Sequence, residues 1–100
     1  MTDHYRPPPE VLAGYTDTRQ LPDGRWIGIH QLMFHWTLHV DINDSGYEDR
    51  WCIDTYDHAL EAFLKWDGTG EPLHWHKHPA TYRRRDLSTG QIWDERERRP

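Results

Sequence analysis

A single cysteine, Cys52, excludes an intrachain disulfide framework and makes a reducing compartment the natural setting. No apolar run approaches the length of a membrane span or the core of a secretory signal, so no membrane partner is expected and the cytoplasm is the expected location. There are no internal repeats. Apolar residues are scarce, at 35% of 100 residues with a mean hydropathy of -1.05, which limits the chain to one small core and therefore one domain. Six Trp, five Tyr and two Phe offset that shortage, because each ring buries a large area if they cluster. The expectation is a compact aromatic core with poorly ordered ends.

Charge is unevenly spread. Residues 1 to 70 carry five Lys or Arg against twelve Asp or Glu, whereas residues 71 to 100 carry seven against five. The body should repel nucleic acid, and the C-terminal part could tolerate it. Eight histidines would carry the formal charge from -5 to +3 if all were protonated, so charge reversal is expected near the reference histidine pKa of about 6.5.

The most informative stretch runs from Phe34 to Ile42, where Phe34, Trp36, Leu38, Val40 and Ile42 alternate with His35, Thr37, His39 and Asp41. That period of two marks a half-buried strand. Residues 47 to 56 can pair with it across Asn43-Asp44-Ser45-Gly46. Matching apolar faces selects the register Leu38 with Trp51, Trp36 with Ile53 and Phe34 with Thr55; the other face then pairs His39 with Arg50, Thr37 with Cys52 and His35 with Asp54. Upstream, Leu21-Pro22-Asp23-Gly24 is turn chemistry and Arg25 opens a β-prone run. Residues 25 to 42 are one bent strand or two, and two suit a small domain better. Asp54 or Thr55 can cap a helix reaching about Trp66, with Ala59, Leu60, Ala62, Phe63, Leu64 and Trp66 as its apolar stripe and Gly68 as its left-handed stop.

These pieces give an α+β fold: a three-stranded antiparallel β-meander with one helix packed on one face, a small C-terminal hairpin around Ser88-Thr89-Gly90, and flexible ends. Residues 1–22, with Pro7-Pro8-Pro9, read as a flexible arm, 23–93 as the domain and 94–100 as a frayed charged tail.

Asp23-Gly24-Arg25, the run Gly46-Tyr47-Glu48-Asp49-Arg50-Trp51-Cys52, the stop Trp66-Asp67-Gly68-Thr69-Gly70-Glu71-Pro72, and His76-Lys77-His78-Pro79 followed by three Arg resemble small uncharacterised proteins of bacteriophages and prophages. The resemblance spans roughly residues 23 to 85. It implies a mobile-element accessory protein in a bacterial cytoplasm, and it carries no activity or site residues.

Three clusters carry candidate chemistry. His74, His76 and His78 at i, i+2, i+4 would lie on one side of an extended segment and could share a zinc ion, with Asp86 or His30 recruited as a fourth ligand; the more ordinary expectation is no cofactor and a solvated or aromatic-packed loop. His35, His39, Arg50, Cys52 and Asp54 would share the polar sheet face, a loose echo of a Cys-His-Asp arrangement. A flat face supplies neither a cleft nor an oxyanion hole, so no catalytic residue is assigned and no enzyme is expected. Arg83, Arg84 and Arg85, with Tyr82, Trp75 and Trp93 nearby, combine cations and rings as a nucleic-acid patch would. The leading expectation is binding of a macromolecular partner, most naturally a host protein. A metal- or nucleic-acid-binding module is the alternative, and an exposed strand edge would permit a homodimer.

Overall fold

A computed structural model describes residues 5–98, the side chains of 97 and 98 excepted. The polypeptide forms one antiparallel sheet of seven strands, each paired with its sequence neighbour: β1 Asp17–Gln20, β2 Trp26–Gln31, β3 Trp36–Val40, β4 Asp49–Ile53, β5 Trp75–His78, β6 Arg83–Arg85 and β7 Ile92–Asp94. Helix α1 spans Pro9–Leu12, α2 spans Tyr56–Lys65, and a 3-10 turn spans Glu95–Arg98. This corrects the expected three-stranded meander. Of the four additional strands, β6 and β7 form the hairpin expected around Ser88-Thr89-Gly90, β5 adds the buried Trp75 to the core, and β1, which reads Asp-Thr-Arg-Gln, has no hydrophobic period to announce it. A strand such as β1 is held by ladder bonds at the margin of a sheet whose centre supplies the apolar burial. Within the stretch read as an arm lie α1, β1 and a fully buried Pro7. Residues 1–4 and 99–100 of the expected arm and tail lie outside the described residues.

The central register is the one the alternation selects. Trp36 faces Ile53, Leu38 faces Trp51, Thr37 faces Cys52 and His39 faces Arg50. The strand is shorter than its pattern, however. The Leu32 amide donates to the His35 carbonyl at 2.9 Å, closing a tight connection between β2 and β3, so two strands are present and Phe34 lies outside both. Phe34 is 87% exposed where a core position was expected. At the other end Asp41 adopts φ 62, which breaks the strand, although Ile42 stays buried and its amide donates to the Trp26 carbonyl at 3.0 Å.

Helix α2 begins where Thr55 Oγ1 accepts from the His58 amide at 3.2 Å, which satisfies one of the free donors of the first turn. Ala59, Ala62, Phe63 and Trp66, at i, i+3, i+4 and i+7, are buried against Ile27, Ile29, Leu38, Trp51 and Ile53 of the central strands. Leu64 falls off that arc and is 62% exposed, contrary to its expected place in the stripe. The helix does not stop on a left-handed glycine. Trp66 is already extended, at φ -75 and ψ 134, and the last carbonyls are taken by Arg19 of β1, whose Nε donates to Phe63 O at 2.7 Å and Nη2 to Trp66 O at 2.6 Å. The positive φ of Gly68 serves the following loop, where Arg25 Nη2 donates to its carbonyl at 2.7 Å and leaves no room for a Cβ. A cation at a helix C-terminus also complements the helix dipole, so Arg19 helps fasten an edge strand with no apolar pattern to α2, alongside the Tyr56 hydroxyl, which donates to Asp17 at 2.7 Å.

Candidate functional site

Pairing across the sheet sorts side chains into two faces, because opposed residues of neighbouring strands point the same way. Opposite α2 one row runs His30, Thr37, Cys52, Lys77, Arg84, Trp93, and a second runs Thr18, Gly28, His39, Arg50. The polar face read from β3 and β4 is therefore real in register, and β5 to β7 extend it.

Its β2–β3 side is covered. Tyr15 lies directly on Gly28, where an added Cβ would sit 2.8 Å from the ring, and Tyr15 Oη lies 2.8 Å from His39 Nδ1. Tyr47 stacks on His39 with centroids 3.8 Å apart, and His30 lies 5.3 Å away. His39 is consequently 6% exposed, with an unpartnered Nε2, and burial, aided by His30 and Arg50, pushes its pKa down to about 4. Burial and the neighbouring Tyr47 raise Tyr15 to about 12. The ring is thus a neutral imidazole accepting from a tyrosine, packed as part of a small second core.

The remaining residues of that expected cluster do not form a nucleophilic site. Cys52 is 4% exposed, and burial pushes its thiol pKa up despite Arg50, Lys77 and Arg84 nearby, which is the reverse of what a reactive thiolate needs. His35 and Asp54 lie beyond the ends of β3 and β4 and meet His76 instead. The His35 and His76 rings are 5.9 Å apart edge to face, and His76 Nε2 is 3.2 Å from Asp54 Oδ1 without hydrogen-bond alignment. Burial lowers the His76 pKa and Asp54 opposes the shift.

The three alternate histidines diverge. Cys52 pairs with Lys77 while the adjacent Ile53 pairs with Trp75, so His76 is an extra residue in a β-bulge, and His74 has φ 65. His74 stacks on His58 of α2 at 4.0 Å and bonds Glu61 at 2.8 Å. His78, 2% exposed, turns to the α2 side, where its Nε2 is 2.9 Å from Asp49 Oδ1 and its Nδ1 is 3.0 Å from Thr81 Oγ1. Each imidazole meets a different carboxylate, so they do not converge on one ion. Among the described residues, no group of three or more His, Cys, Asp or Glu is placed to hold a metal.

The arginine triplet is also divided, because β6 alternates. Arg85 packs over the Trp75 ring and donates to the Trp75 carbonyl at 2.8 Å, and Arg83 lies on the same side, 4.0 Å from Glu71. Only Arg84 joins the opposite face, beside Lys77 and next to Glu95 at 2.9 Å. The cationic cluster that the fold assembles is therefore Arg50, Lys77 and Arg84, from three strands. Sequence adjacency could not reveal it, although the strand pairings do.

Two further features complete the surface. A cleft of about 350 Å³ lies between Trp51 and Trp66, and three of the charged groups lining it are already engaged: Arg25 with Asp23 and Gly68, Asp49 with His78, and Glu48 with Asn43. The tip of the β2–β3 hairpin is the opposite case. Met33 and Phe34 are 85% and 87% exposed, side by side, in a chain with few apolar residues. Comparison with protein-family models, with curated proteins and with solved structures returned no match.

Proposed function

We propose that this chain is a non-enzymatic binding module that docks on a partner protein by placing the Met33–Phe34 tip in an apolar groove. One observation carries the reading: two large apolar side chains stand almost wholly in water at the tip of a hairpin whose strands are fixed in the core. Leaving them exposed is unfavourable by roughly 1.5–3 kcal/mol per side chain relative to burial, a gain that a complementary groove would recover. Phe and Met are also among the residues enriched at the cores of protein interfaces. A lipid surface fits less well, since no Lys or Arg occurs between Arg25 and Arg50 to hold an apolar tip against anionic headgroups. The setting of this reading is the bacterial cytoplasm, on the resemblance to phage-encoded proteins and on the free, buried Cys52.

The test compares the wild-type chain with a Met33→Ser, Phe34→Ser double variant as bait in nuclease-treated bacterial lysate. Wild type should retain one near-stoichiometric protein. The variant, with an unchanged unfolding midpoint, should bind that purified protein about 30-fold more weakly or worse. Equal retention by both baits would refute the tip as the docking element.

A further inference from the structure

We infer that the sheet face opposite α2 binds single-stranded nucleic acid, with Arg50, Lys77 and Arg84 as its phosphate contacts. The site is separate from the hairpin tip and independent of it. Lys77 and Arg84 oppose each other on β5 and β6, Cys52 opposes Lys77 from β4, and Arg50 lies two residues along β4 on the same side. All three cations act electrostatically on the Cys52 thiol, which places their charge around one patch of floor.

An anion position already exists there. Glu95 accepts from Arg84 Nε at 2.9 Å, pairs with its Nη2 at 2.9 Å and lies 4.0 Å from Lys77 Nζ, so the chain's own carboxylate marks where a phosphate oxygen would be held. Arg50 has only the Tyr47 hydroxyl at 3.5 Å as a side-chain partner and meets no carboxylate among the described residues. The acids that make the chain net negative include Asp49, which opposes Val40 on the other face, and Asp57 and Glu61 on α2, so the overall charge does not govern this surface.

The occupant follows from what accompanies the cations. Tyr47, 39% exposed and stacked on His39, borders Arg50, and Trp93 ends the row that holds Lys77 and Arg84. Rings placed beside cations along one sheet face suit unpaired bases and their backbone, whereas an acidic peptide would use the cations alone.

Fluorescence anisotropy of the full chain with labelled oligothymidylate and oligouridylate, across a salt series, tests this. Log affinity should fall with log salt at a slope of about -2 for three contacts of about 0.7 each. The Lys77→Gln, Arg84→Gln pair should weaken binding at least about tenfold and reduce the slope to about -0.7. Arg83→Gln, on the other face, should change nothing, and Glu95→Gln should tighten binding by removing the internal competitor. Absent or salt-independent binding overturns the inference, as does an Arg83→Gln loss equal to that of the pair. Polyglutamate competing as well as oligonucleotide would replace nucleic acid with any polyanion. If the double variant fails to fold, Glu95→Gln alone decides, because unchanged or weaker binding contradicts the site.

Discussion

Replacing His39 with Phe should remove a specific part of the protein's acid sensitivity. In the native state this imidazole titrates at about 4, held down by burial and by His30 and Arg50, whereas an unfolded histidine titrates near 6.5. Between those values the unfolded chain binds a proton that the native chain does not, so stability rises with pH and is lost as pH falls through the window. Each pH unit inside it is worth about 1.4 kcal/mol, and lowering pH from 7 to 4.5 therefore removes about 2 kcal/mol through this residue alone. The carboxylates held low by their partners, such as Asp23 beside Arg25 and Glu61 beside His74 and Lys65, act at lower pH, because their contribution persists until pH approaches the unfolded carboxylate value near 4. His76 shifts in the same direction as His39, so the difference between wild type and variant is the quantity that isolates His39. Phe keeps a ring against Tyr47 and Tyr15 but removes the acceptor of the Tyr15 hydroxyl, at a cost of about 1 kcal/mol that does not vary across this range. Urea unfolding followed by tryptophan fluorescence at pH 7 and pH 4.5 gives the comparison. His39→Phe should be slightly less stable at pH 7 and should lose about 2 kcal/mol less than wild type on acidification. Parallel losses in the two proteins, within about 0.5 kcal/mol, would mean that His39 is protonated in the native state and that the buried Tyr15–His39–Tyr47 stack is wrong.

Two other substitutions probe how the sheet is held. Arg19→Met should destabilise the chain by about 2 kcal/mol by freeing two helix-end carbonyls from charged donors, and Arg19→Lys should restore little because an ammonium cannot span both; denaturation midpoints decide, and a loss under about 0.5 kcal/mol for Met would mean that Arg19 does not hold the helix end. Gly28→Ala should cost about 1–2 kcal/mol in the wild type, because its methyl would meet the Tyr15 ring as well as Ile42 Cδ1 at 3.0 Å, and clearly less in a Tyr15→Ala background, where only the Ile42 contact remains; additive losses in that double-mutant cycle would contradict the close approach to Tyr15.

The sequence was legible where both partners of an element carried a pattern. Trp36-Leu38-Val40 and Trp51-Ile53 each alternate, so their register followed from matching faces, and Thr55 with Ala59, Ala62 and Phe63 marked α2 by cap and period. Phe34 misled because it continues the alternation of β3 and because Leu32-Met33-Phe34-His35 contains none of the residues that usually mark a turn. The chain nevertheless reverses there, and the apolar pattern overshoots the strand by a residue that protrudes into water. The histidine triplet misled for a different reason. A spacing of two implies one face only if the strand is regular, and the bulge at His76 together with the positive φ of His74 sends the three rings in three directions. The marginal strands were only partly legible: the Ser88-Thr89-Gly90 turn marked the β6–β7 hairpin, whereas Asp17–Gln20 gains order from pairing with β2 and from side-chain contacts such as that of Arg19, and neither kind of support leaves a period in the chain.

This division has a physical consequence for how binding and stability are distributed. Strands β2 to β4, with Trp75 of β5, bury the apolar side chains of the core, while Lys77, Arg84 and Trp93 stand at half-buried positions on β5 to β7. The hairpin tip is similar, because Met33 and Phe34 touch little of the folded chain. Substitutions at either surface should therefore move affinity with little change in the unfolding midpoint, whereas those at His39, Gly28 and Arg19 should do the reverse. A chain of this composition can keep its exposed rings and cations only because one tryptophan and three isoleucines, Trp75, Ile27, Ile29 and Ile53 at 0% exposure, concentrate the burial that the rest of the sequence lacks.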